Sequence, residues 1–351
     1  MSGGVDSSVS ALLTSEMGYE CIGCTMRLYD AEDSDLQAES TCCSLSDVED
    51  ARSVAHSLGM PYYVFNFSHD FSEKVIRRFI DSYLHGITPN PCIDCNRYMK
   101  FDQLYLKGKV LGCDSIVTGH YARIDQKDGK YRLLKALDDT KDQSYVLYTM
   151  TQEQLSHTIF PLGTLRKTEV RKIAEEHGFI NSDKPDSQDI CFVPDGDYAA
   201  MIERTTGKQS APGNFVDPDG NVLGTHSGII HYTIGQHRGL GISLGKCMYV
   251  CSINPDENTV TLGDREALFC TEAIVGDFNW ISGVTPTAPF RCKAKTRYRH
   301  QEQPAEIIPL ENGNIRIHFD EPQRAITPGQ AAVLYDGDCV LGGGRILTFQ
   351  K

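Results

Sequence analysis

Ser2-Gly3-Gly4-Val5-Asp6-Ser7-Ser8 is the stretch on which the reading of this chain turns. Its two glycines let successive peptide N–H groups face one anion, its serines add hydroxyl donors, and the helix that follows brings unsatisfied N–H groups and a positive dipole end. It lacks the Lys of a G-x-x-x-x-G-K-[ST] loop, so it does not read as a Walker A site. The expected ligand is the pyrophosphate part of ATP, cleaved between its α and β phosphates. The competing reading is a Gly/Ser-rich turn that only caps a helix.

Outward from this loop, Val9, Leu12, Leu13 and Met17 keep helical spacing up to Gly18. Residues 20–28 read as a buried strand whose Met26 lies near the loop's mouth, either flanking an adenine or simply apolar. Ser46 and Glu49 form a capping box for a helix on Val48, Ala51, Val54, Ala55 and Leu58. A strand at 62–67 and an amphipathic helix at 71–83 follow. The βαβα order predicts a Rossmann-like, doubly wound parallel α/β layer. Thr88-Pro89-Asn90-Pro91 leads into Cys92-Ile93-Asp94-Cys95-Asn96, read as a Pro-stiffened loop before a helix at 100–111. Residues 115–121 read as a strand ending in Gly119 and His120, at the edge where open α/β sheets place ligands. Lys141-Asp142-Gln143-Ser144 opens a further helical run, and 168–177 is another helix.

Beyond Pro194 the texture changes to Gly, Pro, Asp and Thr with short apolar runs, and from about residue 265 short alternating segments predict a small antiparallel barrel. The expected division is a catalytic domain at 1–196, a small central domain at 197–264 and a β-barrel at 265–351. Arg291, Lys293, Lys295, Arg297 and Arg299 alternate with Phe290, Cys292, Ala294 and Thr296, which predicts one basic strand face suited to phosphates. The formal net charge of −13 excludes indiscriminate nucleic-acid binding, so an RNA partner must be held by such local patches. No run of eighteen apolar residues and no secretion signal occurs, which predicts a cytoplasmic protein with no membrane partner.

Thirteen cysteines in a reducing compartment argue for thiol or metal chemistry rather than a disulfide framework. Cys21 and Cys24 fall on opposite faces of a strand, and Cys42 and Cys43 are adjacent. Cys247, Cys251, Cys270, Cys292 and Cys339 read as buried apolar residues among β segments. Cys92, Cys95 and Cys191 are the three whose setting does not look like core. No second pattern completes a structural zinc site. A thiol pair that carries a persulfide fits, and so does an iron–sulfur cluster on the three cysteines.

The chain resembles the tRNA-specific 2-thiouridylases of the ATP-pyrophosphatase superfamily. The motifs that carry the resemblance are Ser-Gly-Gly-Val-Asp-Ser-Ser at 2–8, Thr-Pro-Asn-Pro-x-x-x-Cys-Asn at 88–96, Thr-Gly-His-Tyr-Ala at 118–122, Lys-Asp-Gln-Ser at 141–144, Cys-Phe at 191–192, Tyr-Thr-Ile-Gly-Gln at 232–236 and Ala-Lys-Thr-Arg-Tyr at 294–298. They occur in order along the whole chain. In that superfamily a parallel strand runs into the loop, and here Met1 stands where it should end, so the sheet is expected without its first strand.

What the resemblance implies is ATP- and Mg²⁺-dependent 2-thiolation of the wobble uridine, position 34, of tRNA. The uracil C2 oxygen is adenylated, pyrophosphate leaves and a sulfur atom displaces AMP. Ser2, Gly3, Gly4, Val5, Asp6, Ser7, Ser8, Met26 and Gly119 would bind the nucleotide. Cys191 would take sulfur as a persulfide from a carrier protein or cysteine desulfurase, and Cys95 would release it, leaving a Cys95–Cys191 disulfide. Asn90, Pro91 and Cys92 would face the extruded base, while His120, Lys141, Asp142, Gln143, Arg297, Tyr298 and Gln330 would touch tRNA. Some members carry Asp where this chain has Cys92. Asp94 is then the alternative acid or base, and the extra thiol suits a [4Fe–4S] cluster. A monomer is expected. The rival readings are another ATP-pyrophosphatase, such as an amidotransferase-linked synthetase, and a non-catalytic tRNA-binding module.

Overall fold

Val5, Val9 and Leu12 put one apolar stripe on the helix Val5–Glu16, and it packs against Val170 and Ala174 of the helix Lys167–Glu176. The computed structural model describes residues 1–29, 45–186 and 190–350, so the expectations for Cys42, Cys43, Ser187, Gln188 and Asp189 lie outside the described residues. Strands β1 (Gly23–Arg27) and β2 (Tyr62–Asn66) pair in parallel, with Met26 opposite Phe65. Further on come β3 (Ile116–Val117), the hairpin β4 (Ala122–Lys127) and β5 (Lys130–Lys135), and β6 (Thr158–Ile159), which pairs in parallel with β3. Among the described residues no strand joins β1 to β3, so the α/β layer is present as two parallel pairs. Both pairs border one cavity of about 2000 Å³. Met1 lies against β1, its ammonium donating to the Cys24 carbonyl and its carbonyl accepting from Thr25 Oγ1 at 2.7 Å.

Two local readings change. Ser46 does not cap the second helix, which already includes it as Leu45–Ser57. Nor is the stretch after Pro91 a loop. Pro at a first helical position gives up no hydrogen bond and has its φ preset, and Asn90 caps the turn by accepting from the Cys92 N–H at 3.2 Å. Helix therefore runs without interruption over 91–110, with widened π-type turns across Cys95–Leu104. Residues 91, 92, 95, 96, 100 and 104 of this helix reach the cavity, a recurrence every four to five residues that follows the widened turns.

Strands β7 (Gly213–Val216), β8 (Val222–His226), β9 (Tyr249–Asn254) and β10 (Thr259–Gly263) form the central sheet in the order β8-β7-β10-β9. Its interior is continuous with the first domain, because Phe215, Val250 and Val260 belong to the same apolar cluster as Phe71, Phe79 and Phe192. Next come β11 (Phe269–Trp280), β12 (Phe290–Lys295), β13 (Gln303–Pro309), β14 (Ile315–Arg324), β15 (Ala331–Asp336) and β16 (Cys339–Gln350). They run antiparallel as β11-β14-β13-β12-β15-β16, and β16 pairs back onto β11 to close the barrel. The β4–β5 hairpin extends this sheet, with Leu133 opposite Val340. Its turn, Asp128-Gly129, takes φ of 53° and 76°, the left-handed pair a two-residue hairpin requires.

The basic strand ends at Lys295, so the alternation covers only Arg291, Lys293 and Lys295. Arg291 pairs with Asp320. Arg297 turns inward and donates to the Ile234 carbonyl at 2.9 Å, the Ala325 carbonyl at 3.0 Å and Thr327 Oγ1 at 2.6 Å. It ties the central domain to the barrel, and its burial is offset by bonds to neutral acceptors. Of the five β-segment cysteines expected inside, Cys270 is buried, Cys251, Cys292 and Cys339 are half-buried, and Cys247, in the loop before β9, is exposed. Arg297→Met should lower unfolding stability by about 2–4 kcal/mol, since it orphans buried carbonyls. Arg297→Lys should not restore it, because an ammonium cannot span the same acceptors. Chemical denaturation measures both, and an unchanged midpoint for Arg297→Met would remove the tie.

Candidate active site

Gly3 has φ 73°, and a Cβ there would stand 2.4 Å from the Asp47 carbonyl oxygen, so the loop's turn needs glycine for both reasons. Ser7 Oγ accepts from the Ser2 N–H at 3.0 Å and donates to the Gly4 carbonyl at 2.9 Å. Asn181 Nδ2 donates to the Gly3 carbonyl and to Ser8 Oγ, each at 2.9 Å. No side chain caps the helix that starts at Val5, which leaves its first-turn N–H groups at the cavity. Gly119 closes the other side. A Cβ on it would lie 2.9 Å from the Asp6 carbonyl carbon and 3.0 Å from the Ser7 nitrogen.

Asp6 puts a negative charge inside an anion cradle, and the fold cancels it. Lys167 Nζ sits 2.7 and 2.8 Å from its two carboxylate oxygens, and Tyr121 OH donates to Oδ1 at 2.8 Å. Lys167 also meets Asp186 Oδ1 at 2.8 Å, Arg171 joins it there at 3.0 Å, and Lys141 meets Oδ2 at 2.8 Å. Burial alone would raise the Asp186 carboxyl, but its bonds to Lys141 and Lys167 win and hold it at about 2. Burial and then the Asp6 charge push the Tyr121 phenol far up. Lys184 bridges Asp47 at 2.5 Å and Asp50 at 2.8 Å.

The three cysteines singled out in the sequence line the same cavity as the loop. Cys92 is exposed, and Cys95 and Cys191 are half-buried. Cys191 Sγ lies 2.8 Å from Tyr29 OH. Next to it, Phe192 is wedged edge-on between Phe71 and Phe79, at 5.8 and 5.1 Å, which anchors the cysteine at the cavity wall. The cluster expectation is not supported: among the described residues no three His, Cys, Asp or Glu side chains converge to hold a metal. Asp94 is not on the cavity either. Its carboxylate faces Arg78 at 3.4 Å.

The other predicted residues fall into two groups. Met26, Pro91, His120, Lys141, Asp142, Gln143 and Tyr298 border the cavity. Asn90 caps the cysteine helix, Arg297 is turned inward, and Gln330 Nε2 donates to the carbonyls of Thr88 at 2.9 Å and Pro89 at 3.2 Å, holding that helix's approach. Within the first group, Gln143 Oε1 accepts from the Tyr121 N–H at 2.9 Å, and Asp142 accepts from Ser144 Oγ at 2.8 Å. His120 is only 6% exposed, between Phe101 and Phe160. Sequence reasoning missed Tyr29, Lys100, Tyr121, Lys167, Asn181 and Lys184. Two carried a usable signal: Tyr121 lies inside the Thr-Gly-His-Tyr-Ala motif, and Lys100, once the helix is started at Pro91, falls eight residues after Cys92, on the same side.

An open α/β layer with a pyrophosphate loop, joined to a central β domain and a closed barrel, defines the class, and comparison agrees with it. The family described as tRNA methyl transferase HUP domain matches residues 1–195, the tRNA methyl transferase PRC-barrel domain 200–264, and the aminomethyltransferase beta-barrel domain 270–346. The chain belongs to the tRNA-specific 2-thiouridylase family, a family of sulfurtransferases. The tRNA-specific 2-thiouridylase MnmA of Clostridioides difficile is 53% identical over 99% of this chain and 96% of its own length. That of Acetivibrio thermocellus is 53% identical over 99% and 97%, and that of Clostridium acetobutylicum 50% identical over 99% and 98%. Among the described residues no helix is long and apolar enough to cross a membrane.

Two outcomes follow. Gly119→Ala should weaken ATP binding at least about tenfold with the fold retained, because the clash is with loop backbone; calorimetry decides, and unchanged affinity would free Gly119 from this role. Because the Asp186 carboxyl titrates lower folded than unfolded, its contribution to stability is present above about pH 4 and lost as pH falls toward about 2. In acid unfolding, Asp186→Asn should therefore show a shallower loss of stability across that window than the unaltered chain.

Proposed function

We propose that this chain uses ATP and Mg²⁺ to replace the C2 oxygen of the wobble uridine, position 34 of tRNA, with sulfur. The observation that carries the reading is that the pyrophosphate loop and the thiols of Cys95 and Cys191 line a single cavity. Uracil O2 is a poor leaving group, so it is first activated. O2 bonds to the α-phosphorus, the bond to pyrophosphate breaks with its electron pair on pyrophosphate, and the N3 proton passes to water. The loop N–H groups, with Asp6 neutralised by Lys167, receive the pyrophosphate.

Cys191 brings the sulfur as a persulfide supplied by a carrier protein or cysteine desulfurase. Its terminal sulfur attacks C2 and the C2–O bond breaks toward AMP. The Cys95 thiolate then attacks the inner sulfur, 2-thiouridine departs, and a Cys95–Cys191 disulfide is left for a dithiol reductant. Tyr29 OH, 2.8 Å from Cys191 Sγ, orients that sulfur. Mg²⁺, when bound with ATP, would offset charge on the phosphates, and Asp6, already engaged by Lys167, is the loop's one carboxylate near it.

Extruding the base costs a few kcal/mol, which contacts near Pro91 and Cys92 must offset. Lys293, Lys295 and Arg299 from the barrel side line the same cavity and would meet the anticodon arm, while Arg123 and Lys135 from the β4–β5 hairpin are paired there with Asp338 and Glu302. The reading takes the chain as a cytoplasmic monomer whose domains divide at about 196 and 264.

Protein, ATP, Mg²⁺, unmodified tRNA and a persulfide donor, followed by nucleoside mass spectrometry, test it. Cys191→Ser should abolish both persulfide loading and 2-thiouridine. Cys95→Ser should keep the persulfide and lower 2-thiouridine at least about 100-fold. Thiouridine surviving in Cys191→Ser would sink the proposal.

A further inference from the structure

The helix that presents Cys92 and Cys95 to the cavity also presents Lys100, a residue with no assigned role. Its Nζ lies 3.3 Å from His120 Nε2, and His120 Nδ1 lies 2.7 Å from Thr118 Oγ1. An ammonium group has only donors, so Nε2 must accept, and Nδ1 then carries the hydrogen given to Thr118. Burial first, and the Lys100 charge second, hold the His120 pKa well below the ordinary histidine range, which keeps the ring neutral. The stack of Thr118, His120, Phe101 and Phe160 therefore fixes one ammonium hydrogen and leaves two for a ligand.

The charge of Lys100 is also unspent. Lys167 is paired with Asp6 and Asp186, Lys141 with Asp186, and Lys184 with Asp47 and Asp50. Among the described residues no carboxylate stands within ion-pair distance of Lys100, although it is half-buried. A cation held against a neutral imidazole adds little stability, so its position calls for an anion from outside. Its place in the cavity says which. Gly119, adjacent to His120, packs so near the loop that a Cβ on it would meet the backbone of Asp6 and Ser7, so Lys100 stands on the loop's side of the cavity as well as on the cysteine helix. The loop is where pyrophosphate departs and the cysteines are where sulfur arrives. The α-phosphate, which must leave the one and later be displaced by the other, belongs between them.

We propose that Lys100 is a catalytic residue of the activation step, its ammonium contacting a non-bridging oxygen of the ATP α-phosphate, with His120 as its positioning residue. The assignment rests on the thiolation reading. Charge spreads over these oxygens as the uracil O2–phosphorus bond forms and the bond to pyrophosphate breaks, so a fixed cation there favours the transition state over bound ATP.

The test uses the full chain with ATP, Mg²⁺ and unmodified tRNA, and follows pyrophosphate release in a single turnover. Lys100→Ala should slow release about 100-fold or more while ATP affinity changes only a few-fold and Cys191 still loads persulfide, which shows the fold intact. Lys100→Arg should recover part of the rate. ATP with sulfur replacing one or the other non-bridging α-oxygen gives the decisive readout. The unaltered chain should discriminate against one diastereomer, and Lys100→Ala should lose that discrimination. Release within threefold of the unaltered rate, or an undiminished thio effect, overturns the role of Lys100. If the unaltered chain itself releases no pyrophosphate with tRNA, the thiolation reading falls first and this assignment falls with it.

Discussion

The ammonium of Lys167 is the contact on which the site depends most. It lies within 2.8 Å of both Asp6, in the pyrophosphate loop, and Asp186, five residues before Cys191. One cation thus neutralises the carboxylate in the loop and ties the loop to the segment that leads to Cys191. Asn181 and Lys184 reinforce the tie by gripping Gly3, Ser8, Asp47 and Asp50. A loop this short cannot hold its own shape. Its turn is stabilised by groups more than a hundred and fifty residues further along the chain.

The second constraint is apolar. Phe192 sits between Phe71 and Phe79, in a cluster that runs on into the central sheet, so Cys191 is anchored from behind by the joint between two domains. The barrel is fastened as firmly. The β4–β5 hairpin adds to its sheet, Arg297 reaches Ile234, and Gln330 holds the carbonyls of Thr88 and Pro89 just before the cysteine helix. All three parts of the chain therefore decide the position of one cavity wall.

Charge is partitioned in the same way. The chain carries a formal net charge of −13, whereas the cavity lining matches eight Lys and Arg with eight Asp and Glu, and Arg123 and Lys135 are paired there with Asp338 and Glu302. The cleft is thus far less acidic than the rest of the chain.

Much was legible in the sequence. The loop at 2–8, the βαβα order, the change of texture after Pro194 and the alternating barrel segments all rest on local patterns, in which spacing reports directly on which side a residue faces. The helix start at Pro91 was a local signal read wrongly, because the adjacent Asn90 caps it. Tertiary structure alone decided the rest. Arg297 leaves the basic face, because its strand stops at Lys295. Lys167, Asn181 and Lys184 carry no local mark, since each acts on residues over a hundred positions away. A pattern in sequence records what neighbouring residues impose on one another. The partners of a buried charge are chosen by the packing of distant segments, and that becomes definite only in the folded chain.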